Sequence, residues 1–182
     1  MRIHLEELTE KIQLFTFLEE PEKFSSLVEI NASGDCEFLH PLDIRLGVRR
    51  IGRMVAVEGR FSTQVRMSCN RCLKTFVSAL KSHFHLTYTP DMPPQTASAG
   101  DDGVELRAEE MGLILFKGEE IDMRDAVQSE IVMAIPIKPL CANDCKGLCP
   151  QCGSDLNEVD CGCQSNSVDP RLAVLKRLKI DN

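Results

Sequence analysis

Residues 141–163 read CANDCKGLCPQCGSDLNEVDCGC, and six of the chain's nine cysteines stand in them: Cys141, Cys145, Cys149, Cys152, Cys161 and Cys163. Two more, Cys69 and Cys72, form a C-x2-C within MSCNRCLKTF, residues 67–76. Thiols at such short spacing suit a tetrahedral metal, because a tight loop can aim several sulfurs at one Zn²⁺. A disulfide framework is the competing reading, and redox compartment arbitrates between them. The N-terminal MRIHLEELTE is charged and has no apolar stretch of the kind a secretory leader needs. No apolar run is long enough to span a bilayer. The expectation is therefore a cytoplasmic chain that uses its cysteines for metal, with redox thiols as a lesser alternative.

Eight cysteines suffice for two four-sulfur sites. One partition joins Cys69 and Cys72 to Cys141 and Cys145, and leaves Cys149, Cys152, Cys161 and Cys163 as a self-contained loop. The Cys149-Pro150-Gln151-Cys152-Gly153 piece has the character of a zinc knuckle, with proline setting the entry and glycine free to turn at positive φ. The other partition has one ion, held by Cys149, Cys152 and two of the remaining cysteines, with Cys69 and Cys72 as turn thiols. One or two zinc ions are thus expected. Cys36, in a strand-like stretch, reads as a buried core thiol.

Outside the cysteines the chain has ordinary globular composition, 43 % hydrophobic and 27 % charged, with no Trp and one Tyr. Its net charge of −7 argues, taken alone, against a polyanion partner. The average conceals a segregation of sign. Between Arg45 and Lys81 nine bases (Arg45, Arg49, Arg50, Arg53, Arg60, Arg66, Arg71, Lys74, Lys81) face one acid, Glu58. Residues 1–44 and 101–130 each carry ten acids and three bases. Either the basic strands pair with acidic neighbours in one sheet, or the basic block is a face that meets phosphates.

The first two-thirds of the chain reads mainly as β. Residues 12–18 are rich in strand formers, and 27–38 alternate at Val28, Ile30 and Ala32 before breaking at Gly34-Asp35. Long alternations over 53–67, with Gly59 as a possible bulge, and over 74–87 predict a hairpin whose tip is the C-x2-C. Pro21–Phe24 is a turn or short helical turn. Phe76, Phe84 and Leu86 are core candidates. Residues 90–103, PDMPPQTASAGDDG, read as a flexible loop. A short strand follows at 113–116. Asp122 is placed to cap a helix over 123–134, with Val127, Ile131 and Ala134 on one face. Asp169-Pro170 opens a last helix through Lys179, basic on one side.

These readings predict an α+β protein: a curved antiparallel, barrel-like β domain with C-terminal helices and a Cys-rich zinc-binding segment. Its parts are a β-rich domain (1–89), the flexible loop (90–103), a strand and helix completing the core (104–138), and the Cys-rich segment with its helix (139–182). No catalytic constellation accompanies them. The four histidines (His4, His40, His83, His85) lack matched partners, no phosphate-binding glycine motif occurs, and a catalytic zinc would need an open position. A thioredoxin-like role for Cys69 and Cys72 would require a strand-to-helix setting, and their flanks read as a hairpin.

The series Cys69-Asn70-Arg71-Cys72, then IPIKPLC-x3-C-KGLCPQCGSDLN, then C-x-C and DPRLAVLKRL resembles the YceD family, the large ribosomal RNA subunit accumulation proteins. The resemblance implies a bacterial, cytosolic, non-enzymatic factor that supports accumulation of 23S rRNA. Some relatives keep the C-x-R-C and lack most of the later cysteines, which fits one core site and a dispensable second one, or else a C-terminal cluster that merely stabilises a loop. Its partner would be 23S rRNA or a large-subunit precursor, with ribosomal proteins also possible and neither a membrane nor a small-molecule substrate expected. The nine basic residues above are then the candidate phosphate contacts. The rival expectation is a protein-interaction adaptor whose acidic residues, Glu105, Glu109, Glu110, Glu119 and Glu120, engage basic ribosomal proteins. A redox-sensing zinc switch is a third.

Overall fold

The longest polar–apolar alternations become the longest strands. In this computed structural model, which describes residues 1–91 and 112–163, β5 (Met54–Ser68) buries Val55, Val57, Gly59, Phe61, Thr63, Val65 and Met67, while the intervening side chains from Glu58 to Arg66 point to solvent. β6 (Thr75–Thr89) buries Leu80, Phe84, Leu86 and Tyr88. β4 (Leu42–Ile51) buries Leu42, Ile44, Leu46 and Val48 and exposes Arg45 and Arg49. One face of the sheet is therefore core and the other is wet, as period-two patterning dictates.

Among the described residues the sheet has six strands, ordered β2 (Gln13–Glu19), β4, β5, β6 and β7 (Leu113–Leu115), with β3 (Cys36–Phe38) also pairing with β5. The pairings β2–β4, β3–β5 and β4–β5 are antiparallel. β6–β7 is parallel, so the expectation of a wholly antiparallel sheet is corrected to a mixed one. The barrel-like closure also fails among the described strands, because β2 and β7 remain its two edges. A second ribbon pairs β1 (Arg2–His4) with β8 (Glu120–Asp122), Ile3 opposite Ile121.

Two helices contribute to the same apolar cluster. α1 (Ser25–Ser33) replaces the first part of the strand expected over 27–38, whose end remains strand as β3 (Cys36–Phe38). The alternation at Val28, Ile30 and Ala32 misleads there, because the buried positions are Phe24 and Leu27, three apart, and Val28 is exposed. Gly34, read as a strand break, is the left-handed residue that ends the helix, with φ +79° and its N–H donated to the Asn31 carbonyl. α2 (Arg124–Ala134) buries Val127 and Ile131 as expected. Asp122 sits one residue before its cap and still accepts the Arg124 N–H at 3.0 Å. From α2, Gln128 accepts the Ser26 N–H (3.3 Å) and donates to the Ser26 hydroxyl (2.9 Å), which serves the otherwise uncapped start of α1.

Gly59 is no bulge, since it pairs with Leu46 in unbroken register. A Cβ there would lie 2.1 Å from the Phe84 ring, so the glycine makes room for that ring against the backbone of β5. The one buried hydroxyl on this strand, Thr63, donates to the His40 carbonyl at 2.8 Å. Cys36 is 1 % exposed within the core, and burial pushes its thiol up to about 11. The helix expected after Asp169-Pro170, most of the 90–103 loop, and Glu105, Glu109 and Glu110 lie outside the described residues.

The chain divides into two compact units. The sheet unit is Met1–Met67 with Phe76–Ile137, and the cysteine unit is Ser68–Thr75 with the residues from Lys138 onward. The C-x2-C between β5 and β6 thus belongs with the C-terminal cysteines.

Candidate functional site

Two tight turns build the cysteine unit, and they are copies of one another. In the first, Leu73 donates its N–H to the Cys69 carbonyl at 2.9 Å and the Cys69 N–H reaches the Lys74 carbonyl at 2.9 Å. In the second, Gly153 donates to the Cys149 carbonyl at 2.9 Å and the Cys149 N–H reaches the Ser154 carbonyl at 2.8 Å. The residue after each second cysteine is left-handed: Gly153 at φ +74° and Leu73 at φ +61°. The Gly153 position was legible from its glycine. That of Leu73 was not, because leucine pays roughly 1–2 kcal/mol for this backbone region.

Each turn meets a second cysteine pair. Cys69, Cys72, Cys141 and Cys145 form one group and Cys149, Cys152, Cys161 and Cys163 another, with all sulfurs of a group within 4.8 Å of each other. Cys69 Sγ lies 3.8 Å from Cys145 Sγ, and Cys72 Sγ 3.6 Å from Cys141 Sγ. Four sulfurs each ~2.3 Å from a zinc-sized ion would be about 3.8 Å apart, so the donor set fits such an ion. All nine cysteines are free thiols, and the geometry follows the two-site partition.

The electrostatics agree. Burial opposes the Cys69 thiolate, yet backbone N–H groups of Cys141, Cys72 and Arg71 outweigh it and bring its pKa down to about 6. Its neighbour Cys141 is pushed up to about 12, first by Cys72 and then by burial. The other group repeats this. Ser154 draws Cys152 down to about 6, and Cys152 in turn drives Cys163 up to about 12. Four thiolates can share so small a volume only around a cation.

The groups differ in cover. Cys69, Cys72 and Cys145 are buried and Cys141 is exposed, whereas only Cys149 is buried in the second group. Asn157, which sequence reasoning missed, lies in the loop closing the second group. Its amide donates to Cys145 Sγ at 3.4 Å and its carbonyl oxygen accepts the Lys146 N–H at 2.8 Å. Lys74 pairs with Glu158 and, at 3.2 Å, with Asp155 from the same loop, and these carboxylates hold its ammonium above the ordinary lysine range. Gly147, at φ +77°, leaves no room for a side chain: a Cβ would meet the Arg71 carbonyl at 3.0 Å.

The nine basic residues fall into different settings. Arg71 donates to the Cys145 carbonyl at 2.8 Å and, with Lys74, is engaged within the cysteine unit. Arg50 donates to the Gly52 carbonyl and Arg53 pairs with Asp91, both near the β4–β5 turn. Arg45 and Arg49 on β4, Arg60 and Arg66 on β5, and Lys81 on β6 share the solvent face of the sheet. Arg45 is held by Asp43 at 2.8 Å and 3.1 Å, and Arg66 pairs with Glu37. Hydrogen bonding to Arg45 keeps the Asp43 carboxyl below its usual range. On the same strand face the His83 and His85 rings meet edge-on at 4.6 Å.

Among the described residues no helix is long and apolar enough to cross a membrane. The family model described as Large ribosomal RNA subunit accumulation protein YceD matches residues 57–179, more than half of the chain. An uncharacterized protein of Mycobacterium tuberculosis is 31 % identical over 134 residues, 74 % of this chain and 60 % of its own length. The Large ribosomal RNA subunit accumulation protein YCED homolog 1, chloroplastic, of Arabidopsis thaliana is 25 % identical over 156 residues, 76 % of this chain and 49 % of its own. The uncharacterized protein YlbN of Bacillus subtilis is 25 % identical over 175 residues, 91 % and 92 %. The chain therefore spans about 60 % of the mycobacterial relative and about half of the plant one. No solved structure matches it. With its C-x-R-C turn and the cysteines that follow inside the matched span, the chain belongs to the YceD family.

Proposed function

We propose that this chain is a non-enzymatic, cytoplasmic factor for biogenesis of the large ribosomal subunit, acting by binding 23S rRNA or a precursor particle. Membership in a family described by accumulation of large-subunit RNA, and the printed name of the plant relative, support the ribosomal assignment. The observation that carries RNA binding is the gathering of Arg45, Arg49, Arg60, Arg66 and Lys81 on one solvent face of the sheet, in a protein whose net charge is −7. A local basic face within an acidic chain concentrates the contacts that release counterions from a phosphate backbone. The metal in both cysteine groups is zinc on this reading, chosen for all-sulfur tetrahedral donors, and its role is to hold the cysteine unit folded.

Cross-linking the protein to RNA in its host cell and sequencing the attached RNA tests the proposal. Enrichment of a defined region of 23S rRNA is expected. RNA at background level, with ribosomal proteins recovered instead, would replace it by the adaptor reading. One observation favours that rival: edge strand β2 and its approach expose Ile12, Leu14 and Leu18 at 55 %, 84 % and 72 %.

A further inference from the structure

The basic face carries a hollow. Arg45, Arg60 and Lys81, from three adjacent strands, line an open depression of about 540 Å³ together with Ser62, Ser82 and Asp43. Arg45 and Arg60 are directly opposite each other in the β4–β5 register. Like charges in that position destabilise a sheet, because their Cβ atoms are only about 5 Å apart. Asp43 compensates Arg45. Arg60 and Lys81 have no ion-pair partner among the described residues. Three cations against one carboxylate leave this wall positive, with two serine hydroxyls beside them to donate hydrogen bonds.

Resting on the ribosomal-RNA reading above, the geometry points to this hollow as the seat for backbone phosphates of an RNA strand, with Arg60 and Lys81 as its principal contacts and Arg45 as a third. Shape favours a polymer over a small phosphate ester. The hollow is open rather than enclosing, and the basic row runs past it on the same face, to Arg49 (opposite Ala56) at one end and Arg66 at the other. From the level of residue 56 to residue 66 is ten strand residues, roughly 33 Å. Arg66 is paired with Glu37 and Arg45 with Asp43, whereas Arg60, Lys81 and, at the end of the row, Arg49 have no ion-pair partner among the described residues; of these three, Arg60 and Lys81 line the hollow and meet an anion there without first breaking a bond.

The test is binding of the full-length, metal-loaded protein to a single-stranded RNA oligonucleotide across a salt series, for wild type and Arg60→Gln/Lys81→Gln. Loss of two phosphate contacts lowers the slope of log affinity against log salt by about 1.4, which amounts to roughly 25-fold weaker binding at 0.1 M salt. Arg60→Lys/Lys81→Arg should bind nearly as wild type, and Lys23→Gln, whose ammonium is already paired with Glu19, should change nothing. Matching thermal midpoints confirm folding, and the single Lys81→Gln variant, with half the slope change, serves if the double variant is unstable. Wild-type affinity and slope in the double variant overturn the seat while leaving the RNA reading intact. Absence of RNA binding by wild type overturns both, and retention of polyglutamate through the same two residues would then assign the hollow to an acidic protein.

Discussion

The sheet unit and the cysteine unit solve the problem of a stable interior by opposite means. Among the described residues, twenty-four buried apolar side chains, from Met1 to Ile131, form one cluster in the sheet unit. In the cysteine unit, among the described residues, every side chain of that kind is a cysteine: Cys69, Cys72, Cys145 and Cys149. A carbon interior stabilises by leaving water, at about 1.5–3 kcal/mol for each fully buried large side chain. A sulfur interior has no such reserve and, on the proposed reading, would depend on an ion held among its thiolates. The same contrast separates their roles. Among the described residues the sheet unit leaves Arg49, Arg60 and Lys81 on its outer face without an ion-pair partner, whereas in the other unit Arg71 and Lys74 are engaged in holding it together.

The largest effect that could break this comparison is metal removal. Structural zinc contributes about 10–16 kcal/mol of apparent folding free energy in small sites, so if the two groups hold zinc as proposed, chelation should abolish hydrogen-exchange protection in 68–75 and 138–163 and spare the strands β4 to β6. Loss of protection in those strands as well would show that the sheet unit leans on the metal. The converse perturbation is Phe61→Ala, which removes a 2 % exposed ring from the core. It should cost about 3–5 kcal/mol in denaturant unfolding while the metal content of the folded protein stays at two ions per chain.

Smaller changes sharpen the contrast within the cysteine unit. Asn157→Ala deletes the amide donor to Cys145 Sγ, and outer-shell losses of this kind weaken a metal site roughly 10–100-fold. In a competition titration the buried group should weaken by that factor, and equal affinity in the variant would make the contact incidental. The two matched turns give the finest test. Leu73→Gly should stabilise by about 1 kcal/mol and Gly153→Ala destabilise by about as much, because one relieves and the other imposes the same left-handed strain. Chemical denaturation of the metal-loaded protein reads both, and shifts of equal sign would refute the equivalence of the turns.

Sequence pattern reached much of this. The alternations of β5 and β6 and the face of α2 were legible because burial alone sets their period. Cys149-Pro-Gln-Cys-Gly announced its turn through residue types that such a turn favours, whereas the equivalent Leu73 turn carries neither the proline nor the glycine. α1 was not legible, since Val28, Ile30 and Ala32 mimic a strand while Leu27 carries the burial. β4 escaped the strand reading as well: Gly47 interrupts it, and Arg49, Arg50 and Ile51 end its alternation in three exposed residues. The basic block was plain as charge, but which of its members share a face depends on register, and Asn157 became a sulfur ligand's partner only through the loop's fold.

The central claim is that this family member meets RNA through the outer face of its sheet. Ultraviolet cross-linking in the host cell, followed by mass spectrometry of the peptides that carry a nucleotide, tests it most directly. The account predicts nucleotide-bearing peptides from β4, β5 and β6, around Arg45, Arg60 and Lys81. Cross-links confined to the cysteine unit, or none at all beside recovered ribosomal proteins, would contradict it.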